Sequence, residues 1–413
     1  MMFVSLQQKQ NGLTLIELLI AMLLGTLMIL GATSMFTANK RVYKEVDYQG
    51  RLAENARFAM EMIIRDLRMT GFIGCAIQQE VSNDLNVLAG ALPNPTELLS
   101  FISRTDATNQ TNSIEGSESG GAWLPSGSTD ASLGGTAVIT TDTRVDTFGV
   151  DTTVTMLTTS DGFTVRFLED TQANLCVSMT NVTDALSVQA QSGATIAGGT
   201  FLGGGVYAAA DCEATNIFQL NTDQAGTGDP PTFTLAHTGT GAVAPGNLTG
   251  NLSKQYTVAD ATNCSASPVD IMIFRARRYF VGQDQNGSPG LYRQIFDADP
   301  NNTPALQYRE FAERLIDGVE NMQILYGEDT TGNRVPNAYL AANAVANWAN
   351  VVSVKLALLF ATVDEDFTAS FDTATYQLLD AAPFDPTPAA DDRRRRKIVE
   401  ATVSLRNRQL SSN

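Results

Sequence analysis

The most apolar part of the chain is a run near its amino terminus. Between Leu18 and Ala38 there is no charged residue, and a helix that crosses a hydrocarbon core needs about 20 apolar residues. Glu17, just before the run, is the one carboxylate in the first 40 residues. A carboxylate is costly to place in a membrane, so Glu17 is a candidate functional residue. The pattern predicts a membrane-spanning helix over residues 13–38.

The polarity changes after this run without a break in the helical pattern. No proline occurs between Leu13 and Ala91. Apolar residues recur at helical spacings and define one face of an amphipathic helix; they are Val46, Ala53, Ala56, Met60, Ile63 and Leu67. We therefore expect the helix to continue over residues 39–70, to end at Gly71, and to cover a sheet with its apolar face.

The middle of the chain, residues 71–268, is rich in Thr, Gly, Ser, Ala, Asp and Asn. Short β-rich runs separated by turn-forming residues predict strands. These runs are residues 137–141, 152–157, 163–168, 217–220 and 231–235. We expect a variable region of β-structure and long loops, inserted between the helix and the last part of the chain.

Stronger strand patterns fill residues 269–413. Residues 271–281 and 291–296 predict a hairpin, and residues 351–362 and 398–405 predict two further strands. Residues 319–326 alternate as a strand whose inward side chains are Val319, Met322, Ile324 and Tyr326. The segment 311–318 is interpreted as a short helix or turn.

The fold class expected from this order is α+β. Strands joined in sequence by turns or loops form antiparallel sheets. We therefore expect one C-terminal antiparallel sheet that covers the apolar face of the helix, with a large Thr/Gly-rich insertion between them.

The charge balance argues against direct binding of nucleic acid. The 413 residues carry a formal net charge of −17, and such a surface repels a polyanion. The one dense basic run is Arg393–Lys397, which follows several aspartates. We interpret this run as a solvated loop that pairs with the acidic surface of the protein itself, in preference to a site for DNA or lipid headgroups.

The cysteines indicate disulfides in an oxidising compartment. Cys75, Cys176, Cys212 and Cys264 all lie beyond the apolar run. An even number in a translocated domain predicts two disulfides, and three pairings are possible. The cysteines form no CxxC motif, which argues against a zinc or redox site.

The residue types also argue against an enzyme. His237 is the single histidine and lies in a Gly/Thr-rich loop, which excludes multi-histidine metal sites and argues against a Ser-His-Asp triad or a Cys-His pair. Residues 284–287 and 329–333 resemble calcium loops but lack alternating acidic ligands and a bidentate Glu, so both are interpreted as turns. We expect no metal and no cofactor.

The amino terminus resembles the class III leader of type IV pilins and pseudopilins. Gly12 is followed five residues later by Glu17 in a Leu/Ile-rich frame. In a secretory signal the cleavage site follows the apolar region, whereas here the expected processing point, Gly12–Leu13, precedes it. The resemblance implies that a prepilin peptidase removes residues 1–12 and N-methylates Leu13, where pilins usually have Phe. It also implies that Glu17 pairs with the terminal amine of a neighbouring subunit.

Four further segments resemble the PilW group of type IV pilus minor pilins. They are residues 65–75, 315–329, 348–359 and 399–408, which include the sequences Asp317-Gly-Val319 and Trp348-Ala-Asn-Val-Val. The resemblance covers roughly residues 12–80 and 270–413.

The resemblance implies a structural role. PilW-like proteins sit in the inner membrane by one span with a periplasmic domain, and then at the pilus tip. Implied partners are other minor pilins, the major pilin, the prepilin peptidase, the inner-membrane assembly platform, membrane lipid and a large tip adhesin. Such a minor pilin primes pilus assembly and supports twitching motility, adhesion or DNA uptake.

Two alternatives remain open at this point. The J-type pseudopilin of type II secretion shares the Asp-Gly-Val and Trp motifs but is about half as long. The chain could instead be a surface-binding module, in which the insertion contacts a ligand and the pilin-like helix serves as its anchor.

Overall fold

The computed structural model describes residues 14–75, 81–85, 113–118, 138–140, 153–191, 200–239, 246–284, 286–298, 308–363, 371–386 and 392–407. Contacts between Cα atoms divide the chain into two units, Met1–Glu54 and Asn55–Asn413. The domain boundaries predicted at residues 38, 70 and 268 stay predictions.

The described residues form one long helix, α1 (Leu15–Met69), followed by strands. The strands are β1 Val81–Asn83, β2 Ile114–Ser117, β3 Val138–Thr140, β4 Thr153–Met156, β5 Gly162–Leu175, β6 Leu186–Ala190, β7 Thr200–Phe201, β8 Val206–Ala210, β9 Thr215–Gln219, β10 Gln224–Ala225, β11 Thr232–Leu235, β12 Asp270–Gln283, β13 Pro289–Ala298, β14 Tyr308–Asp317, β15 Val319–Glu328, β16 Ala338–Leu340, β17 Val351–Ala361 and β18 Arg396–Ser404. All five runs predicted as strands in the middle of the chain are confirmed, as β3, β4, β5, β9 and β11.

The buried stripe of α1 differs from the predicted one at its amino-terminal end. Ala56, Met60, Ile63 and Leu67 are buried as expected, together with Leu52 and Ala59. Val46 is 65% exposed and Ala53 is exposed, so these two predictions were wrong. A seven-residue spacing drifts by about 20° per heptad around a straight helix. Counted back from Leu67, that drift carries residues 53 and 46 off the buried face.

Twelve of the described strands form one sheet. Its path runs β1-β9-β8-β12-β5-β6-β11, and β13, β14, β2, β3 and β4 pair along its sides. The long strand β12 is its centre, because it pairs with β5 and β4 on one edge and with β8 and β13 on the other. All of these β12 pairings are antiparallel.

This arrangement corrects the expectation of a single C-terminal sheet. The hairpin β12–β13 belongs with strands of the Thr/Gly-rich region, and a second sheet, of order β16-β15-β17-β18, contains the later strands. The insertion is therefore a structural part of the larger sheet. Pairing between residues more than 100 positions apart, such as Phe167 with Arg275, leaves no local signal from which it could be predicted.

The segment 311–318, interpreted as a short helix or turn, lies mostly in β14. This interpretation was wrong because β13 supplies a partner: Arg293 of β13 lies opposite Glu313 of β14, and its Nε donates to Glu313 Oε1 at 2.6 Å. Opposite charges across an antiparallel pair stabilise it. Tertiary pairing therefore overrides the mixed local pattern.

β15 is buried on both faces. Val319, Met322, Ile324 and Tyr326 are buried as predicted, and so are the other six residues of the strand. Residues 371–386, here called the covering segment, cover the face of the smaller sheet that carries Ala357 and Leu359. In it, Tyr376, Leu378, Leu379 and Phe384 pack with Ala357, Leu359 and Ile398 of the sheet.

Two disulfides join distant parts of the larger sheet. Cys75 pairs with Cys212, and Cys176 pairs with Cys264. The expected number of two disulfides is met, and the structure selects one of the three pairings. The first bond ties the chain just after α1 to the connection between β8 and β9.

Candidate functional site: the N-terminal helix and its anchor

The first half of α1 is exposed apolar surface. By length and composition α1 is able to cross a membrane. Its large apolar side chains are open to solvent, and Leu15 and Met28 are each 77% exposed. A soluble protein rarely exposes so much contiguous apolar surface without a partner. The helix fits a membrane-anchored pilin.

Glu17 caps the beginning of α1. Its Oε2 accepts hydrogen bonds from Thr14 N at 2.9 Å and from Thr14 Oγ1 at 2.8 Å. A Thr at the N-cap and a Glu three residues later form a capping box. Within the single chain, the carboxylate therefore has a local structural role. Gly12 and Leu13, the predicted processing and methylation residues, lie outside the described part of the chain.

The second half of α1 is held to the larger sheet by one buried carboxylate. Asp66 is 1% exposed, and its Oδ1 lies 2.6 Å from Nη1 of Arg277 on β12. Tyr279, also on β12, donates a hydrogen bond from its hydroxyl to Asp66 Oδ2. Nη1 of Arg293, on β13, lies 4.0 Å from the same oxygen. Arg277 and Tyr279 are two residues apart on β12, so both point to the same face of the sheet.

The surroundings of Asp66 favour an ionised carboxylate next to a protonated Tyr279. Burial raises the pKa of Tyr279, and the negative charge of Asp66 raises it further, so the phenol stays protonated and donates. A buried carboxylate is stable only when it is paired and hydrogen-bonded. This anchor fixes the position of α1 on the sheet along the helix axis.

The end of α1 is also tied to the last part of the chain. Asn407 Nδ2 donates to the carbonyl oxygen of Arg68 at 2.9 Å, which satisfies one of the carbonyls left open at a helix end. Gly71 N donates to Arg166 O at 2.9 Å. Residues from β5 and from beyond β18 therefore meet at the carboxyl-terminal end of the helix.

One residue of the basic run 393–397, Arg396, is the centre of a buried ion cluster. The side chain of Arg396 is 2% exposed; its Nε lies 2.6 Å from Glu320 Oε2 and its Nη1 lies 2.7 Å from Asp372 Oδ2. Arg396 also pairs with Asp392. The expectation that the run pairs with acidic groups of the protein itself is confirmed for Arg396, but the expected solvated loop is wrong at that position.

The cluster holds the covering segment in place. Asp372 belongs to that segment, Glu320 to β15 and Asp392 to the chain before β18. Because one guanidinium bridges all three, Arg396 links the covering segment to both strands. Burial acts to lower the pKa of Arg396, but its hydrogen bonds to Glu320 and Asp392 outweigh this and raise it.

The remaining chemical candidates have structural explanations. His237 is buried, with Nε2 2.9 Å from Asp184 O and Nδ1 3.1 Å from Gly250 O, so it links loops. Asp329 accepts from the backbone N–H groups of Thr331, Gly332 and Arg334, which confirms the predicted turn. Within the described ranges, no group of three or more His, Cys, Asp or Glu could hold a metal ion.

Two family models match the chain, one at its amino terminus and one over its last part. Residues 278–407 match the family model for type IV pilus-assembly protein W. This match covers about a third of the chain, and the matched segment, residues 278–407, is called the PilW domain. Residues 7–33 match the prokaryotic N-terminal methylation motif, so the PilW domain follows a prepilin-like amino terminus. No curated protein and no solved structure matches the chain at the required significance.

The PilW domain begins within β12 and extends just past β18, so it includes parts of both sheets. Its Asp317-Gly318-Val319 motif is the junction where β14 of the larger sheet becomes β15 of the smaller one. Its Trp348 packs edge-on against Tyr326, with ring centroids 4.7 Å apart. The first of these motifs therefore lies where the two sheets join, and the second packs on β15 of the smaller sheet.

The two matches confirm the resemblance to the PilW family. They identify a type IV pilus-related, pilin-like protein, and pilin-family domains are structural rather than catalytic. Sequence reasoning missed Asp66, although a signal existed: a charged residue lies on the apolar stripe between Ile63 and Leu67. No comparable signal distinguishes Arg396 from the other basic residues beside it.

Proposed function

We propose that this protein is a minor pilin of a type IV pilus that, with other minor pilins, primes pilus assembly and lies at the pilus tip. The observation that carries the proposal is the joint occurrence of an N-terminal methylation motif, an exposed apolar helix and a PilW domain in one chain. The helix anchors the subunit in the inner membrane before assembly, and the domain of residues 55–413 lies in the periplasm.

The two disulfides support this compartment. Disulfides persist in the bacterial periplasm and on cell surfaces, and are rare in the cytosol. Cys75–Cys212 and Cys176–Cys264 both lie beyond the apolar helix. This placement agrees with a domain exported across the inner membrane.

Glu17 is proposed to pair with the methylated amine of Leu13 in a neighbouring subunit. In the single chain its Oε2 is bound to Thr14, and its carboxylate is exposed. An oppositely charged amine in a low-dielectric environment attracts it strongly, and an unpaired carboxylate there is costly. This pairing would give a register to helices that otherwise pack by apolar contact.

The alternative of a surface-binding module, anchored by the pilin-like helix, is less favoured. The strands of the Thr/Gly-rich region pair directly with β12, as in the ladder of β5 along residues 270–279. An insertion that completes the main sheet has a structural purpose without a ligand. A deletion phenotype distinguishes the proposed minor pilin from a J-type pseudopilin. Deletion of a pseudopilin gene would block protein secretion rather than pilus extension.

The deciding experiment is intact-mass and N-terminal analysis of the protein recovered from its native membrane and from sheared pili. The expected mature chain begins at Leu13, carries one added methyl group and is present in the pilus fraction. Reduction should add two hydrogens for each of the two disulfides. A chain that retains Met1, or one cleaved after the apolar run, would contradict the proposal.

A further inference from the structure

The smaller sheet ends in a long strand, β18, whose outer edge is open among the residues that the structure describes. Its order is β16-β15-β17-β18, so β18 pairs with β17 on one side and, among the described strands, with none on the other. β16 at the opposite end has only 3 residues, whereas β18 has 9. A long edge strand is a template on which another extended chain can add.

The hydrogen bonds between β17 and β18 show which backbone N–H and C=O groups of β18 point away from β17. Thr362 N donates to Arg395 O at 3.0 Å, and Leu405 N donates to Val352 O at 2.8 Å. Directly opposed residues of an antiparallel pair alternate between exchanging both hydrogen bonds and exchanging none. Odd-numbered residues of β18 therefore bond to β17, and even-numbered residues direct their N–H and C=O groups outward.

Four successive outward-facing positions of β18 have no partner strand in the described part of the chain. The outward backbone groups of β18 beyond Arg396 belong to Ile398, Glu400, Thr402 and Ser404. The structure gives these groups no hydrogen-bond partner among the residues it describes. Glu400, Thr402 and Ser404 are exposed, so an incoming strand has access to the edge.

The side chains of β18 specify the incoming strand. Lys397 is exposed, and Val399 and Ala401 next along the same face are only partly buried. They continue the apolar face of Leu358 and Leu356, which lie opposite Val399 and Ala401 on β17. Within the described part of the chain Lys397 has no acidic partner. A strand with an acidic residue opposite Lys397 and apolar residues opposite Val399 and Ala401 would complete this face.

β14, the other long edge strand, does not offer the same surface. Five of its 10 residues are charged: Arg309, Glu310, Glu313, Arg314 and Asp317. Arg314 is already engaged with Asp284 at 2.7 Å and with Asp317 at 2.6 Å. Dense charge on an edge strand protects it from pairing. β18 has 3 charged residues in 9, and Arg396 among them is held in the buried cluster.

We propose that β18 binds an extended segment of a neighbouring pilus subunit by strand addition, with an acidic side chain opposite Lys397 and apolar side chains opposite Val399 and Ala401. This inference rests on the proposed function, because it takes the partner from the same fibre. Main-chain hydrogen bonds supply the attachment, and the Lys397–Val399–Ala401 face selects the segment. Strand addition joins the domains of two subunits independently of contacts between their helices.

Two pairs of variants of the full-length protein test the proposal in its native cells. Thr402→Pro removes an outward N–H that β17 does not use, while Thr402→Ala removes only the side chain. Lys397→Glu reverses the charge opposite the expected acid, and Lys397→Arg keeps it. The measurement is the amount of the other minor pilins recovered with each variant after cross-linking and detergent extraction, normalised to the membrane abundance of that variant.

We expect Thr402→Pro and Lys397→Glu each to lower this recovery about tenfold, since an incoming strand loses one or two hydrogen bonds or a charge pair. Thr402→Ala and Lys397→Arg should recover wild-type amounts. If Thr402→Pro does not accumulate in the membrane, the comparison of Lys397→Glu with Lys397→Arg tests the proposal by itself.

Three results would overturn the inference. Wild-type recovery with both Thr402→Pro and Lys397→Glu would show that β18 is not a docking edge and would leave the proposed function intact. A cross-link between two copies of this chain through β18 would replace the neighbouring subunit with self-association. Absence of every other pilin from the wild-type complex would contradict the proposed function together with the inference.

Discussion

Asp66 on α1 and Arg277 on β12 are joined by a 2.6 Å contact between Oδ1 and Nη1, although 211 residues separate them in the chain. Tyr279 donates its hydroxyl to the other oxygen of the same carboxylate. The carboxylate therefore has a partner on each oxygen, and the helix is fixed to the centre of the larger sheet by polar contacts as well as by its apolar stripe.

The first prediction concerns this anchor. Asp66→Ala should lower the free energy of unfolding by about 3–5 kcal/mol, because it leaves a buried guanidinium and a buried hydroxyl without their partner. Thermal and denaturant unfolding of the full-length protein in detergent measures the change. Glu61→Ala is the control: Glu61 is an exposed carboxylate on the same helix, so we expect a change within about 0.5 kcal/mol. Equal effects of the two substitutions would contradict the anchor.

The second prediction concerns the Asp-Gly-Val junction between the sheets. Gly318 has φ of +75°, and an added Cβ would lie 2.3 Å from the carbonyl oxygen of Ala361. Gly318→Ala therefore combines backbone strain of about 1–2 kcal/mol with a clash against backbone. Gly332 has nearly the same φ, +76°, but open space around the added Cβ.

The matched variants separate strain from clash. Gly332→Ala should destabilise the protein by about 1 kcal/mol, through strain alone. Gly318→Ala should destabilise it by about 3 kcal/mol or more, since protein backbone must also move. Unfolding midpoints of the two variants give the difference. A smaller loss for Gly318→Ala than for Gly332→Ala would show that the sheet junction is not tightly packed at this point.

The third prediction is a pH dependence at the Arg396 cluster. Burial acts to raise the pKa of Asp392, but the hydrogen bonds from Arg396 and from the backbone N–H of Arg394, together with the charges of both arginines, outweigh it and hold the pKa below its usual value. A carboxyl with a lowered folded pKa stabilises the folded state above its unfolded pKa, which is about 3.9 for Asp. That contribution is lost as the pH falls through the folded value. The wild-type protein should lose it below about pH 4.

In Arg396→Gln, the loss of stability relative to wild type should become smaller as the pH falls. Without the guanidinium, Glu320, Asp372 and Asp392 remain as neighbouring carboxylates, so the variant should be about 3 kcal/mol less stable at pH 7. Protonation relieves their repulsion, and the difference from wild type should therefore shrink as the pH falls from 7 toward 4. Lys397→Gln is the control, since that side chain is exposed. A difference that is constant across this pH range would contradict the clustered charge.

The fourth prediction separates the two roles of Glu17. If Glu17 pairs with a neighbouring amine, Glu17→Ala should insert into the membrane normally but fail to enter pili. If Glu17 serves only to cap α1, Thr14→Ala should also impair entry into pili, because it removes the hydroxyl that donates to Glu17 Oε2 at 2.8 Å and accepts from Glu17 N at 3.4 Å. We expect Thr14→Ala to enter pili. Immunoblots of membrane and sheared-pilus fractions measure both steps.

The elements that were predicted correctly have strong local signals. The apolar run of α1 is recognisable because a membrane helix needs uninterrupted apolar residues. Strands such as Val351–Ala361 are recognisable because they are rich in β-branched and other apolar residues. The buried stripe of α1 was placed correctly from Ala56 to Leu67. It failed at Ala53 and Val46, where a seven-residue repeat no longer follows the buried face.

The arrangement of the strands could not be predicted in the same way. β14 has five charged residues and reads locally as a turn, yet Arg293 across the ladder makes it a strand. The hairpin β12–β13 was assigned to the wrong sheet because its neighbours, β5 and β8, come from the Thr/Gly-rich region. These outcomes depend on which residues meet in space.

Local sequence patterns were enough to predict an apolar helix able to cross a membrane, the prepilin-like amino terminus, the PilW motifs and the presence of strands, because each depends on residues close together in the chain. The folded structure was needed to show that the insertion and the hairpin form one sheet, that Cys75 pairs with Cys212, that Asp66 anchors the helix, and that Arg396 is buried while Lys397 is exposed. Each of these depends on a partner brought from far away in the chain, and whether a charge is buried or solvated follows from that partner.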